Sequence, residues 1–432
     1  MNKQTLLICI DGMGGHYLDD PKVKIPNLRS LISSGSVVSK LKTTYPSVTW
    51  TANTSAITGC HPSKHGVIGN SVYDRDKREV RHHWGDQLGS KECLVNVPTL
   101  YDVLAEKGGT TAAICWPLTR EARNIRFNIP EFYEQRLFDQ YATPDFWNEL
   151  KEQFPVDQYA KWSADFSLGH MQDGLTKDIV NYVITNKQTD LIMAHFLLID
   201  SMLHKHGNHS AEVYWAIEYV DQLVGEILVE LEKSNQLAST DILIYSDHGH
   251  MDVHTNFYPN CFLNEKGLDT DFIAVSNDGA LYLYRLVEDE WVSRNVEDMF
   301  QSLPFVKKVI PKDAFGAFGL PKTGSHTPEL IVELKEGFVS KDDKDVEHFF
   351  GPSTYKSTHG YLADHPLLKG FMVGSGPSFS EGIEMEESHI IHVAPTLGAL
   401  LGVELPDADG DVLSNLLQPA TQLKGGEFLA KL

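Results

Sequence analysis

Short, almost uninterrupted apolar runs alternate along this chain with segments whose apolar residues recur every three or four positions. Runs at 5–10, 37–42, 110–115, 190–199, 241–246 and 370–374 predict strands, and segments 26–34, 51–58, 98–107, 172–186 and 210–234 predict helices. The run DLIMAHFLLI at 190–199 is apolar nearly throughout, as a strand covered on both faces is. Alternation of this kind predicts an α/β fold: a doubly wound, mostly parallel sheet with helices on both faces. Residues 255–345 break the rhythm with the short strands ALYLYRL and PELIVELK and the Gly/Pro-rich FGAFGLPKTGSH. They read as an inserted α+β cap subdomain, leaving 1–254 and 346–432 as the catalytic core.

Acidic and imidazole groups stand where the apolar runs stop. Asp11 closes LLICI, Asp200 closes 190–199, and Asp247 follows 241–246. In a doubly wound sheet, ligands bind beyond the carboxyl ends of the strands, so these runs bring three carboxylates to one edge. His204 lies four residues after Asp200, on the same side of any helix starting there. Asp247 and His248 are adjacent and precede Gly249, and His359 precedes Gly360; glycine permits the turn on which such ligands converge. Six nitrogen and oxygen donors without cysteine suit two divalent metal ions, Zn2+ first and Mn2+ second. Three protein ligands per ion leave positions open, which is the catalytic pattern. Two such ions can activate a nucleophile and clamp the oxygens of a displacement at phosphorus. The hydroxyl-rich turn TYPSVTW, just before the helical segment, offers that nucleophile in Thr49. From pattern alone Thr44, Ser47 and Thr51 stand equally open. His206, His209, His250 and His254 flank the candidates and read as surface or supporting groups, and His61 and His65 as braces for the loop that leads to Asn70.

Charge narrows the partners. Among 432 residues, 59 acidic against 37 basic side chains give a net charge of -22. Such a surface repels polyanions, so duplex nucleic acid is not an expected partner, whereas a small anionic substrate remains compatible with metals that invert the field locally. No apolar run approaches the ~20 residues of a membrane span. The first run begins too close to Met1 for a signal peptide. The five cysteines lack CxxC spacing and read as reduced thiols. Together these predict a cytoplasmic protein with no membrane association; the oligomeric state stays open.

In order and nearly end to end, the motifs IDGM, TYPSVTWTANTSAITGCHPSKHGVIGNSVYD, CWP, IDSMLH, SDHGH, THGY, FMVGSGP and HVAPTLGALLGVELP resemble the alkaline phosphatase superfamily. Within it, the chain is similar to the type I phosphodiesterase/nucleotide pyrophosphatase branch. The resemblance implies that Thr49 is the nucleophile that becomes phosphorylated or nucleotidylated. It implies that Asp200, His204 and His359 hold one zinc, and that Asp11, Asp247 and His248 hold the other with Thr49 facing it. Asn70, in HGVIGN, matches an amide that donates to a phosphoryl oxygen. Trp50, directly after Thr49, keeps the aromatic character of nucleotide-cleaving members and is expected to wall the leaving group or a base, with Phe132 or Tyr133 opposite.

Some positions depart from the branch. Thr51-Ala52-Asn53 stands where an Asn-containing pair often follows the threonine, and WPG is WPL here. The C/S-x-P-x-R motif of sulfatases is absent, as is an arginine two residues after the nucleophile that would clamp a phosphomonoester. The expectation is therefore a two-metal hydrolase of a phosphodiester or phosphoanhydride in a small substrate. Phosphonoacetate hydrolases share the ligands and the HGxxGN loop but place lysines near the substrate carboxylate; 118–135 offers Arg120, Arg123 and Arg126 and no lysine. A phosphonate or a phosphomonoester is accordingly the alternative substrate on the same site. Cofactor-independent phosphoglycerate mutases use serine and a large insertion after it, neither of which is found here, and a metal-binding protein without catalysis would have kept seven site residues for no reason.

Overall fold

The structure is a computed structural model that describes residues 4–83, 89–287, 290–344 and 346–419; the ends of the expected core, 1–3 and 420–432, lie outside the described residues. Eight strands form the central sheet: β1 (Gln4–Ile10), β2 (Ser36–Lys42), β3 (Thr111–Trp116), β4 (Phe127–Pro130), β5 (Leu191–Phe196), β6 (Thr240–Tyr245), β7 (Gly370–Ser375) and β8 (Ile383–His389). Their order across the sheet is β8-β2-β7-β6-β1-β5-β3-β4. Every neighbour pair is parallel except the two made by β7, which runs antiparallel to β2 and β6.

The continuous apolar character of the central strands follows from cover on both faces. Along β1, Leu6, Ile8 and Ile10 enter one hydrophobic layer, and Leu7 and Cys9 enter the other. The first layer is completed by α2 (Gly169–Asn186) and α4 (Ala211–Lys233); the second by α1 (Thr49–Thr58) and the helix Val393–Leu401. α3 (Leu198–His206) lies between α2 and α4 in the chain. Among the described residues no helix is long and apolar enough to cross a membrane.

Two strands escape the hydrophobic pattern. β4 is short and ends in proline, and β8, IEMEESH, is an edge strand whose acidic residues face solvent. The run 190–199 is not one strand: β5 stops at Phe196, and α3 begins at Leu198. A buried apolar run carries no periodicity that would separate the two. The break is made by Asp173 on α2, whose carboxylate accepts the N–H groups of Leu197 and Leu198 at 3.0 Å each. It satisfies donors that a helix start leaves unpaired.

After β6 the chain forms a strand at Met251–Phe257, paired in parallel with Gly337–Ser340 and antiparallel with Phe350–Pro352. Between them, Phe272–Asn277, Ala280–Arg285, Leu330–Leu334 and Val306–Pro311 form a separate antiparallel sheet. Its turn at 276–278 and the segment 341–343 reach the cavity described next.

Candidate active site

β6, β1 and β5 are adjacent, and the residues beyond their carboxyl ends meet at one end of a cavity of about 720 Å³. Asp11, Thr49, Trp50, Asn70, Tyr133, Asp200, His204 and His359 all line it. Asp247 and His248 lie behind this surface and are fully buried.

Two groups of donors form. In the first, Asp11, Asp247 and His248 present atoms within 4.8 Å of one another. His248 Nε2 is 3.5 Å from Asp11 Oδ1, 3.5 Å from Asp247 Oδ2 and 3.2 Å from Thr49 Oγ1. In the second, Asp200 sits in the first turn of α3 with His204 one turn on, their side chains 3.5 Å apart, and His359 Nε2 is 3.7 Å from Asp200 Oδ1. His204 and His359 donate Nδ1–H to the carbonyls of Ser357 and Ser47, 3.0 Å each. Each Nε2 therefore presents a lone pair toward Asp200. Backbone acceptors of this kind fix the tautomer of metal-ligating histidines.

The charge balance of the bare protein suits cations. Burial, reinforced by the charge of Asp200, pushes Asp11 up to about 7, and burial together with Asp11 raises Asp247 well above the carboxylate range. Burial pushes His204 down to about 3 and lowers His248 strongly, so both rings are neutral donors. Clustered carboxylates that resist ionisation beside imidazole lone pairs are a donor set a divalent ion completes.

Thr49 is the first residue of α1 and is 7% exposed. Of the four candidate hydroxyls it is the one that lines the cavity. Ser47 Oγ is engaged with Tyr361 O and Gly360 N–H, and Thr44 and Thr51 are buried away from the cavity. Trp50 exposes only 3% of its surface; it borders the cavity while packing on Val67, Val95 and Leu118 and stacking on His83. Tyr133 is on the cavity wall, whereas Phe132 is buried in the core against Phe138. His65 braces the loop to Asn70, accepting from Val67 N–H at 3.1 Å and reaching Ser55 Oγ at 2.8 Å.

Glycine acts differently at the two expected turns. Gly360 has φ of +87°, where L side chains are strained. Gly249 has no positive φ; it is glycine because a Cβ there would lie 2.0 Å from Leu367 O.

Several site groups are not among the residues the sequence motifs single out. Asn53, one turn after Thr49, donates to Asp247 Oδ2 at 3.2 Å and to Thr49 O at 3.0 Å. Asp247 Oδ1 also accepts from the backbone of Gly12 and His248. Its i+4 spacing from Thr49 is the signal that points to Asn53. His195, the penultimate residue of β5 and fully buried, lies 3.3 Å from Asp11 Oδ2 and 3.0 Å from Glu131 Oε2, so it holds Asp11 from behind. His250 is not a surface group: it is fully buried with Nε2 2.7 Å from Asp200 Oδ1. The far wall carries Asp278, Lys341, Asp342 and Asp343, with Lys341 Nζ 3.6 Å from Asp278 and 3.8 Å from the Tyr355 ring centre.

The family model described as type I phosphodiesterase / nucleotide pyrophosphatase matches residues 5–362. The chain belongs to this family. It is similar to the bis(5'-adenosyl)-triphosphatase enpp4 of Xenopus laevis, 21% identical over 93% of this chain and 78% of that one. It is also similar to ectonucleotide pyrophosphatase/phosphodiesterase family member 7 of Rattus norvegicus, 22% identical over 99% and 89%. The venom phosphodiesterase CdcPDE of Crotalus durissus collilineatus is 20% identical, and the match covers 45% of its length. Among solved structures, murine ectonucleotide pyrophosphatase / phosphodiesterase 5 superposes with a TM-score of 0.75 at 16% identity, over 96% of this chain and 100% of that one. The fold is thus the α/β architecture of that neighbour, within the alkaline phosphatase superfamily, and the chain is an enzyme of the phosphodiesterase/nucleotide pyrophosphatase type.

Proposed function

We propose that this enzyme cleaves a phosphodiester or phosphoanhydride bond in a small substrate through a phosphorylated or nucleotidylated Thr49. The observation that carries the reading is the position of Thr49 Oγ1, at the cavity surface and 3.2 Å from His248 Nε2, beside the Asp11–Asp247–His248 donors. One divalent ion would be held by Asp11, Asp247 and His248, and another by Asp200, His204 and His359. When bound, zinc or manganese would supply Lewis-acid charge to the nucleophilic and leaving oxygens.

The chain's own groups do the rest. α1 starts at Thr49, so its N-terminal dipole favours negative charge on Oγ1 and on the phosphoryl group it meets. Thr49 loses its hydroxyl proton to water as Oγ1 forms a bond to phosphorus and the bond to the leaving oxygen breaks, and the leaving oxygen takes up a proton from water. Asn70 donates from Nδ2 to a phosphoryl oxygen. Water then displaces phosphorus from Thr49 and restores the hydroxyl. Trp50 and Tyr133 wall the leaving group, and residues 255–345 act as a cap that closes the far side. A solved murine relative is an inactive form in complex with AMP, which supports a nucleotide-sized substrate. All five cysteines are free, in keeping with a cytoplasmic site of action. Mass spectrometry of a rapidly acid-quenched turnover tests the reading: the adduct is expected on the peptide that contains Thr49, and an adduct on Thr44, Ser47 or Thr51 overturns it.

One observation favours a second substrate class. Lys341 brings to the cavity the ammonium that 118–135 lacks, as a phosphonate carrying a carboxylate would require. Asp278 stands 3.6 Å from that ammonium and balances it, so the diester reading leads.

A further inference from the structure

The hydrogen-bond chain behind Asp200 constrains His250. Ser357 Oγ–H donates to Leu203 O at 2.6 Å, which uses the only hydrogen that hydroxyl has. The remaining contact of Ser357 Oγ, 3.2 Å from His250 Nδ1, is therefore accepted from Nδ1–H. A neutral imidazole protonated on Nδ1 carries a lone pair on Nε2. That lone pair faces Asp200 Oδ1 at 2.7 Å, in a site where His250 has no solvent exposure. Two acceptors in contact repel unless a proton or a metal ion joins them, and the convergence of further donors on the same point is what a metal ion requires.

The neighbouring rings repeat the pattern. His204 and His359 have Nδ1–H tied to backbone carbonyls and Nε2 turned to the same carboxylate. The His250 ring centre is 4.7 Å from that of His204 and 5.1 Å from that of His359. Donor atoms of Asp200, His248, His250 and His359 fall within 4.8 Å of one another. Bonds of about 2.0–2.2 Å to zinc place tetrahedral neighbours roughly 3–3.5 Å apart, so the His250–Asp200 contact opens by under about 1 Å when an ion enters.

We propose that His250 is a fourth protein ligand of the cation held by Asp200, His204 and His359. This rests on the two-metal reading above. It makes the two ion sites unequal. The Asp200 site has four protein ligands and few open positions, whereas the site of Asp11, Asp247 and His248 keeps open positions beside Thr49. The Asp200 ion is therefore retained longer against a chelator.

Cobalt(II)-loaded full-length protein provides the test, because each ligating imidazole with a protected Nδ1–H gives one exchangeable, hyperfine-shifted proton resonance. Four such resonances are expected in the wild type, from His204, His248, His250 and His359, and three in His250→Ala. Chelator competition should show two phases in the wild type, with the tighter phase weakened at least tenfold in His250→Ala. Ser357→Ala keeps the imidazole but removes its acceptor, so one resonance alone should shift or broaden. His250→Gln can still donate a hydrogen bond to Asp200. Full recovery of the tight phase in that variant would reduce His250 to a hydrogen-bond donor and overturn the proposal. Two bound ions with only three resonances in the wild type would overturn it and leave the two-metal reading standing. A folded wild type that takes up no cobalt, zinc or manganese would overturn both.

Discussion

Trp50 donates its backbone N–H to Asn70 Oδ1 at 3.1 Å. The residue directly after Thr49 thus fixes the orientation of the Asn70 amide. With Oδ1 committed to an N–H donor, the nitrogen is left to serve the cavity that Asn70 lines. Asn70→Ala is expected to lower kcat by about 10²–10³ while leaving bound metal unchanged, the scale seen on removal of one oxyanion donor. Asn70→Asp keeps the acceptor for Trp50 and loses the donor, so it should be at least as slow. Equal kcat for Asn70→Asp and the wild type would assign Asn70 to holding the loop only.

Asp173 places the Asp200–His204 helix. Its carboxylate accepts from Leu197 and Leu198 N–H, and burial pushes it up to about 7 against those bonds. Asp173→Ala orphans two buried donors at the start of α3 and should destabilise the protein by about 1–3 kcal/mol. The shift reaches the site because Asp200 is the third residue of α3. Metal stoichiometry measured at limiting zinc should fall in Asp173→Ala, and Asp173→Asn, which retains an acceptor, should lie between. A variant whose melting and zinc uptake match the wild type would remove Asp173 from the site's support.

Legibility followed local chemistry. Asp11, Asp247 and His248 were readable because strand ends and a glycine turn announce themselves along the chain. The spacing of Asp200 and His204 was readable although the strand–helix break between Phe196 and Leu198 was not, since that break depends on Asp173 from another helix. Pattern left Thr44, Ser47, Thr49 and Thr51 equal, and only the fold shows which faces the cavity. For the same reason the pattern left His250 open between a surface and a supporting position, and the fold buries it against Asp200. Its partners, Asp200 and Ser357, lie 50 and 107 residues away, and no spacing rule spans that distance. Glu131, His195 and Lys341 reach the site through long-range packing of the same kind.

Lys341 separates the substrate classes. If the cavity takes uncharged or nucleotide leaving groups, Lys341→Ala should change KM for a nitrophenyl phosphodiester less than threefold. If it takes a carboxylated phosphonate, the same variant should raise KM for phosphonoacetate tenfold or more. A diester should also be turned over faster than the corresponding monoester, since the arginine that would clamp a second negative charge is absent after Thr49. Monoester turnover tenfold above diester turnover would reverse the assignment.

Glu333 makes stability depend on pH without touching the donor groups. Burial pushes its carboxyl up to about 8, against hydrogen bonds from Leu362 N–H and Tyr45 O–H. A carboxyl whose folded pKa lies above its unfolded value binds protons more tightly when folded. Its contribution is therefore complete below the ordinary glutamate range, near 4.5, and is lost as pH rises through about 8. Melting curves across that window should fall more steeply for the wild type than for Glu333→Gln, which keeps polar partners but does not ionise. Parallel curves would show that Glu333 is ionised in the folded protein throughout.

Thr49 is where the donor groups, the helix start and the cavity coincide. Its hydroxyl carries no charge and is 3.2 Å from His248, so removing it leaves both donor groups intact. Thr49→Ala should keep the melting temperature within a few degrees and the metal content unchanged, while kcat falls at least ~10³, as when a nucleophile that works in a unit is lost. Thr49→Ser keeps the oxygen and frees its rotamer, because the methyl that restricts χ1 is gone. It should retain activity between the two, with the covalent adduct still trapped on quenching. Loss of metal in Thr49→Ala would make the threonine a structural ligand. Full activity in Thr49→Ala would move the attack to another group, since neither Thr44, Ser47 nor Thr51 reaches the cavity.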